Sequence, residues 1–137
     1  LLADEDDLIA AMANFSALIN DNLQDLNWAG FYIVKNGQLV LGPFQGKVAC
    51  TRIEFGKGVC GTAAALNITQ RVADVHQFDG HIACDAASNS EIVVPVRQNG
   101  QVIAVLDIDS PLLNRFDEDD QVGIELLVKQ FENCLFG

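Results

Sequence analysis

The chain has 137 residues, which is enough for one domain to bury a core without disulfides or metal ions. Half of the residues are hydrophobic and 20% are charged, an ordinary globular composition. A net charge of −11, with only eight Lys and Arg, argues against nucleic acids and anionic membranes as partners. No apolar run approaches the roughly 18 residues that cross a bilayer, and no secretory signal is visible. Because the chain begins at Leu1 in a helical pattern and without methionine, we expect natural residues upstream of it.

The first third of the chain predicts one helix followed by a hairpin. From Asp4 to Leu26 apolar residues recur with the spacing of one helical face. Trp28–Val34 predicts a strand, and Asn36-Gly37 is a strong signal for a two-residue turn. Gln38–Leu41 then predicts the returning strand, which we expect Gly42-Pro43 to end.

The middle of the chain predicts short elements and one long loop. Arg52–Phe55 is expected to be extended, Val59–Leu66 to be a helix of small residues, and Gln70–Val72 to be a brief strand. Asp74–Ser90 shows no periodicity, and seventeen residues without structure in a compact domain usually form a functional loop or lid.

The last third predicts a second hairpin and a closing helix. Glu91–Gln98 and Gln101–Asp109 are expected to be strands around Asn99-Gly100, and Phe116–Phe136 to be a helix with Cys134 on its inner face. Hairpins between two terminal helices favour an α+β fold, with a central antiparallel sheet between helices and loops. We expect residues 1–137 to form one domain.

Two carboxylates lie two residues apart on a strand that is otherwise apolar. Asp107 and Asp109 should therefore project from the same face, roughly 6.5–7 Å apart. Carboxylates at the end of a buried strand are costly unless they are hydrogen-bonded or used. They either bond to loop amides or line a pocket for a cationic group, in which one carboxyl stays protonated and can donate a hydrogen bond.

Whether Glu91 joins these acids depends on the strand register. A regular two-residue turn pairs Ile92 with Asp107 and puts Glu91 on the opposite face, whereas a three-residue loop with a bulge puts Glu91 across from Asp109. If the three acids share a pocket, the regular two-residue register cannot continue to the strand end.

Two of the four cysteines lie in segments with loop composition. Cys84 is surrounded by small, polar and acidic residues in 81–91, which is typical of an exposed loop with a reachable thiol. Neighbouring acids should discourage its thiolate. Cys50 has Lys47 and Arg52 nearby, and these cations favour a thiolate.

The other two cysteines have the surroundings of packing residues. Cys60 lies in an alanine-rich helix, where buried packing is the first interpretation and a redox role the alternative, and Cys134 is expected in the core. The chain contains no C-x2-C pair, so cytosolic redox thiols fit better than a zinc site or a secreted disulfide framework. Trp28 and Tyr32 share one strand face, either as core or as the wall of a pocket for a methyl or thioether group.

Several short segments form a specific combination of motifs: Trp28-Ala29-Gly30-Phe31-Tyr32, Leu41-Gly42-Pro43-Phe44-Gln45-Gly46, Ala49-Cys50-Thr51-Arg52-Ile53, Gly56-Lys57-Gly58-Val59-Cys60-Gly61-Thr62-Ala63, His81-Ile82-Ala83-Cys84-Asp85, Ser88-Asn89-Ser90-Glu91-Ile92-Val93-Val94-Pro95 and Leu106-Asp107-Ile108-Asp109-Ser110. This combination resembles the free methionine-(R)-sulfoxide reductases, which are stand-alone GAF-domain enzymes. The resemblance implies a six-stranded antiparallel GAF sheet, a cytoplasmic location, a link to oxidative stress, and reduction of the free amino acid rather than of oxidised protein.

The resemblance also implies residue roles. The catalytic cysteine is Cys84, the main resolving cysteine is Cys50, and Cys60 is a subsidiary one. The acids that hold the sulfoxide and amino groups are Glu91, Asp107 and Asp109, and the aromatic wall consists of Trp28 and Tyr32. The family implies no bound cofactor, electrons from thioredoxin or another dithiol, and a homodimer as one option for assembly.

The chemistry of the residues is consistent with these roles. A sulfoxide sulfur is a weak electrophile until its oxygen is protonated or strongly hydrogen-bonded, so a neutral carboxylic acid is needed beside it. Cys84 would become a sulfenic acid, and Cys50 would condense with it to a disulfide that thioredoxin reduces. Two alternatives stay open at this point: a non-catalytic GAF module that binds a small ligand or senses redox state, and a peptide methionine sulfoxide reductase.

Overall fold

The computed structural model describes residues 5–80 and 87–137 as an antiparallel sheet between helices. The helices are α1 (Leu8–Asn22), α2 (Gly58–Leu66) and α3 (Glu118–Phe136), and the strands are β1 (Trp28–Lys35), β2 (Gln38–Gly46), β3 (Arg52–Glu54), β4 (Gln70–Val72), β5 (Ser90–Gln98) and β6 (Gln101–Ser110). The six strands follow the order β3-β2-β1-β6-β5-β4, and every neighbouring pair is antiparallel. The predicted α+β class and the predicted six-stranded sheet are confirmed. Within the described ranges, no helix combines the length and the apolar character that a membrane crossing requires.

The two faces of the sheet carry separate hydrophobic cores. On one face α1 and α3 cover the sheet, and the ring of Phe15 packs edge-on against Phe31 and Phe131 at centroid distances of 5.9 and 5.1 Å. On the other face α2 packs Val59 and Ala63 against the strands. Alternation along the strands sends successive side chains to opposite cores, so each strand is held from both sides. Burying one large apolar side chain contributes about 1.5–3 kcal/mol.

Both terminal helices begin at an aspartate cap. The side chain of Asp7 accepts a hydrogen bond from the Ala10 amide, and Asp117 and Asp120 form a reciprocal capping box at the start of α3. α1 ends at Asn22 rather than at the predicted Leu26, because the chain turns there towards β1 through Asp25, whose φ is +62°.

Strand β2 continues through Gly42-Pro43, so the predicted end at Leu41 is wrong. One extra residue of β2 is accommodated between Gly30 and Tyr32 of β1, where the register shifts. Proline is tolerated at this bulge because β3 pairs only with Gln38–Val40 and does not need the missing amide proton.

The long predicted loop is partly ordered by local hydrogen bonds. Val75–Gln77 forms a 3-10 turn that begins at Asp74, and the Val75 amide donates to the Asn89 carbonyl 2.9 Å away. His76 contacts the Asn89 side chain through Nε2 at 3.1 Å. Residues 81–86, which include Cys84, lie outside the described ranges.

The predicted core position of Cys134 is wrong, because this residue is exposed. The buried residues of α3 are Ile124, Val128 and Phe131, with the spacing of one narrow helical face. Cys134 lies three residues beyond Phe131, in the last turn of α3. It is beside the buried face of the helix and is exposed there.

Gly61 and Gly123 offer a matched pair of glycine-to-alanine substitutions in helices. A β-carbon at Gly61 would lie 2.3 Å from the Glu54 carbonyl oxygen, whereas one at Gly123 would meet nothing within 4 Å. We expect Gly61→Ala to lower the free energy of unfolding by about 1–3 kcal/mol, because rigid backbone must move. Gly123→Ala should raise it by about 0.5–1 kcal/mol through helix propensity. Urea denaturation of both variants measures the difference, and a stabilising Gly61→Ala would contradict this packing.

Candidate active site

A single extra residue in β6 determines which side chains share the active-site face. β5 and β6 are joined by the two-residue turn Asn99-Gly100, and the pairing then shifts by one residue next to Val96, since Ile103 is an insertion in β6. The shift pairs Glu91 with Asp109. The predicted departure from the regular register is therefore confirmed, whereas the three-residue loop considered as its source is wrong.

The three acids lie together at the end of the sheet. Glu91, Asp109 and Trp28 form one row across β5, β6 and β1, and Asp107 lies in the next row, opposite Gly30. The exposed fractions of Glu91, Asp107 and Asp109 are 8, 5 and 9%. We call these three residues the acid cluster; three carboxyl groups in such a site cannot all be ionised at neutral pH without a large cost.

Burial raises the pKa of every member of the acid cluster, and repulsion raises the pKa values of Glu91 and Asp109 further. For Glu91 and Asp109 burial comes first and repulsion from the Asp107 carboxylate second, and both pKa values lie well above the ordinary range. The pKa of Asp107 is also raised by burial, but hydrogen bonds from Glu91, Asp109 and Cys60 favour its ionised form. Asp107 is thus the member whose ionised form the neighbouring groups favour, while the surroundings of Glu91 and Asp109 favour their protonated forms.

The hydrogen bonding of the acid cluster agrees with shared protons. With all three acids ionised, Oδ1 of Asp107 and Oδ1 of Asp109 have no donor among the residues described. A proton on Glu91 supplies a donor to Asp107, as its raised pKa requires. The cluster is therefore a proton-holding site in an apolar wall.

Ser88 and Asn27 also belong to this site, although the sequence analysis did not single them out. The Ser88 hydroxyl favours the ionised form of Asp109 and so lowers its pKa, against the effect of burial. The side chain of Asn27 donates from Nδ2 to the Ser88 hydroxyl at 3.0 Å. Its backbone N–H donates to the Asp109 backbone carbonyl, also at 3.0 Å. The available signal was the position of Ser88, two residues before a strand that carries a buried acid.

Cys60 is part of the site and remains a free thiol. It is 4% exposed, and its sulfur donates to Oε2 of Glu91 at 4.0 Å. Burial, followed by repulsion from Asp107, raises the pKa of the Cys60 thiol well above its ordinary value. The predicted buried packing of Cys60 is confirmed, whereas its alternative redox role stays a prediction.

Cys60, Glu91 and Asp107 also have the donor set of a small cation site. One ligand atom from each of these buried residues lies within 4.8 Å of the other two. Zinc binds thiolate sulfur and carboxylate oxygen atoms. A bound cation would require Cys60 and Glu91 to lose their protons, which their raised pKa values oppose.

Trp28 and Tyr32 form a stacked aromatic wall beside the acids. Their rings are 5.9 Å apart with an interplanar angle of 23°, and the ring of Phe44 stacks on Trp28 at 5.0 Å. Both residues are only 2% exposed. The polar ends of the two side chains point to residues 47–51, which we call the Cys50 loop: the indole N–H of Trp28 donates to the Lys47 carbonyl at 3.1 Å, and the Tyr32 hydroxyl donates to the Cys50 carbonyl at 2.9 Å.

Cys50 is bonded in a disulfide, whereas Cys60 and Cys134 are free thiols. Cys50 is half-buried and packs against the core that contains Tyr32. The structure therefore brings Cys50, Cys60, the aromatic wall and the acid cluster to one end of one sheet face. The predicted role of Cys84 falls on residues outside the described ranges and stays a prediction.

Comparison with known proteins connects this site to one family. The GAF domain family matches residues 10–135. The free methionine-R-sulfoxide reductase of Escherichia coli (strain K12) is 58% identical over 135 residues, which are 98% of this chain and 82% of that protein. The solved structure of the reduced form of the Staphylococcus aureus fRMsr has a TM-score of 0.95 and 54% identity, over 98% of this chain and 90% of that one.

A second similar structure is that of the Neisseria meningitidis free methionine-R-sulfoxide reductase in complex with its substrate. It has a TM-score of 0.93 and 47% identity, and the match covers 97% of this chain and 80% of that one. High identity over nearly the full chain and a closely matching fold establish the family. The chain belongs to the GAF domain family and, within it, to the free methionine-R-sulfoxide reductases.

Proposed function

We propose that this protein reduces free methionine (R)-sulfoxide to methionine by thiol chemistry at Cys84. The observation that supports this most is the acid cluster, which combines buried protonated carboxyls with one ionised carboxylate. A free amino acid sulfoxide carries an oxygen that must be protonated and an ammonium group that needs an anion. The cluster offers both functions within one small site.

The substrate would be held by complementary charges. The Asp107 carboxylate would accept the ammonium group, while protonated Glu91 and Asp109 would donate to the sulfoxide oxygen. The ring of Trp28, in the same row as Glu91 and Asp109, would lie against the methyl and thioether end. A residue within a peptide has no such ammonium group, and its flanking chain would not fit a closed pocket.

The reaction then proceeds in three balanced steps. The Cys84 thiolate attacks the sulfoxide sulfur; with proton transfer, the S–O bond of the substrate breaks, its oxygen moves to the Cys84 sulfur as a sulfenic acid, and methionine is released. The Cys50 thiol attacks the sulfur of that sulfenic acid, which forms the Cys50–Cys84 disulfide and releases water. An external dithiol such as thioredoxin reduces the disulfide and is itself oxidised.

The oxidation states of the described cysteines support this assignment. Cys50 is disulfide-bonded, and both other described cysteines are free thiols. The high pKa and deep burial of Cys60 make it a poor attacking thiolate, so we assign Cys60 the role of a donor to Glu91 first and of a reserve thiol second. A non-catalytic GAF module would have no use for this pairing of thiols and protonated acids.

Cysteine substitutions separate catalysis from recycling. With free methionine sulfoxide and a thioredoxin system, Cys84→Ser should lose nearly all turnover, because the nucleophile is removed. Cys50→Ser should form about one methionine per protein and then recycle poorly, because the sulfenic acid has no partner. Methionine release in single- and multiple-turnover assays measures this, with exposed Cys134→Ser as the unaffected control. Wild-type turnover in Cys84→Ser would contradict the assignment.

The pH dependence of the reaction should report the proton on Glu91. Since the pKa of Glu91 is raised, its neutral form is present at low pH and is lost as the pH rises through that pKa. kcat/KM should therefore fall on the alkaline side. Glu91→Gln should reduce kcat/KM by about 10²-fold or more at the wild-type optimum and weaken this alkaline decline, which Asp109 alone would then cause. Steady-state assays across pH measure both effects.

The same raised pKa affects stability and provides a control. Folded wild-type protein binds more protons than the unfolded chain, so its free energy of unfolding should decrease as pH rises above the ordinary range of glutamate. The free energy of unfolding of the Glu91→Gln variant should decrease less over the same pH range. If the two proteins show equal pH dependence of urea denaturation, Glu91 does not hold a proton in the folded state.

Substrate selectivity should depend on the Asp107 carboxylate. N-acetylation of methionine sulfoxide removes the ammonium group, and we expect it to lower kcat/KM by about 10²-fold or more, because Asp107 would remain buried without a cation. Asp107→Asn should lower kcat/KM for the free amino acid while discriminating much less between the two substrates. If Asp107→Asn still discriminated fully between the two substrates, the ammonium group would have to bind to a residue other than Asp107.

A further inference from the structure

We propose that the polar ends of Trp28 and Tyr32 position the Cys50 loop for disulfide formation, in addition to the role of their rings as a pocket wall. This inference rests on the proposed recycling of Cys50. The two residues would act as positioning residues for the second step of the reaction. Neither side chain would touch the reacting sulfur atoms.

The Cys50 loop is exposed over much of its length. Val48 at its tip is 88% exposed, and Lys47 and Thr51 are also exposed, whereas Ala49 and Cys50 are partly buried against the core below. A short exposed segment of this kind would sample many conformations without backbone hydrogen bonds to fix it.

Three carbonyl groups of the Cys50 loop accept hydrogen bonds from the sheet. The indole N–H of Trp28 donates to the Lys47 carbonyl at 3.1 Å, the Tyr32 hydroxyl to the Cys50 carbonyl at 2.9 Å, and the Leu41 amide to the Thr51 carbonyl at 3.0 Å. Two of the three donors are the side chains of the aromatic wall. The contact at Cys50 is made to the backbone of the redox-active residue itself.

The local backbone is adapted to the first of these contacts. Gly46 precedes the loop with φ +140°, and a β-carbon there would lie 2.6 Å from Cδ1 of Trp28. Glycine thus allows the chain to pass directly over the indole and present the next carbonyl to its N–H. The Tyr32 hydroxyl is a dependable donor, because burial raises the pKa of Tyr32 and keeps it protonated.

Because these bonds already order the loop, disulfide formation does not carry the additional entropy cost of ordering it. The effective concentration of the Cys50 thiol near its partner should therefore depend on these bonds. Loss of one net hydrogen bond of about 1 kcal/mol corresponds to roughly a fivefold change in an equilibrium constant.

The test is the thiol–disulfide equilibrium of the full chain with glutathione, which requires no substrate. The balanced reaction is protein dithiol plus oxidised glutathione giving protein disulfide plus two reduced glutathione. All proteins carry Cys134→Ser, so that the exposed thiol does not interfere. Tyr32→Phe removes the hydroxyl, and Trp28→Phe removes the indole N–H while keeping an aromatic ring.

Ser16→Ala is the matched control. It also removes a buried hydroxyl, one that donates to the Met12 and Pro43 carbonyls at 2.7 and 3.2 Å, away from the loop. We expect the equilibrium constant for the disulfide of Cys50 to fall about three- to tenfold in Tyr32→Phe and in Trp28→Phe, and to stay within twofold of the parent in Ser16→Ala.

Each other outcome overturns the inference in a distinguishable way. Parent-like constants in both aromatic variants would show that these bonds do not position the loop. An equal fall in Ser16→Ala would show that the effect is general destabilisation, which urea denaturation of the same proteins checks. If the parent itself forms no disulfide at Cys50, the proposed recycling fails, and the positioning role fails with it.

Discussion

The insertion of Ile103 in β6 is the constraint on which the active site depends. Side chains alternate along a strand, so a shift of one residue moves a whole set of side chains to the other face. Ile103 and Val102 pack against different cores, and Ala104 joins the core of Ile103. From that point on, Asp107 and Asp109 face the side on which Glu91 lies. Without the insertion, Glu91 would lie on the opposite face of the sheet from Asp107 and Asp109.

The acid cluster is costly to build, and its surroundings show how the cost is reduced. Two of its three acids can hold protons, because burial and the neighbouring Asp107 carboxylate disfavour their ionised forms. The Cys60 thiol contributes one more neutral donor. What remains is a single negative charge in an apolar wall, and a cationic ligand offsets one such charge. This balance explains why an acidic site of this density is compatible with a stable sheet.

The sequence predicted the elements more completely than the contacts between them. Residue alternation alone placed Asp107 and Asp109 on one face, and the turn at Asn99-Gly100 followed from its two residues. The relation of Glu91 to these acids stayed open, because a bulge is determined by which core its neighbours fill and not by the local sequence. Cys134 was misplaced for a related reason: the helical period gives a face, while the partners that cover that face decide its width.

The aromatic wall connects the substrate site with the Cys50 loop, and so the two halves of the proposed cycle, which are substrate reduction and disulfide formation. The alternation of side chains along a strand does not predict this connection. Both rings lie at the end of the sheet that carries the acids. The polar group of each ring donates a hydrogen bond to a carbonyl of the Cys50 loop. Because Trp28 lies in the same row as Glu91 and Asp109, a displacement of the indole would disturb both the substrate wall and the loop. A ring that had to donate a hydrogen bond to the substrate could not also hold that loop. In the proposed reaction, the acids therefore bind the substrate's polar groups, while the aromatic residues shape the pocket on one side and order the loop backbone on the other.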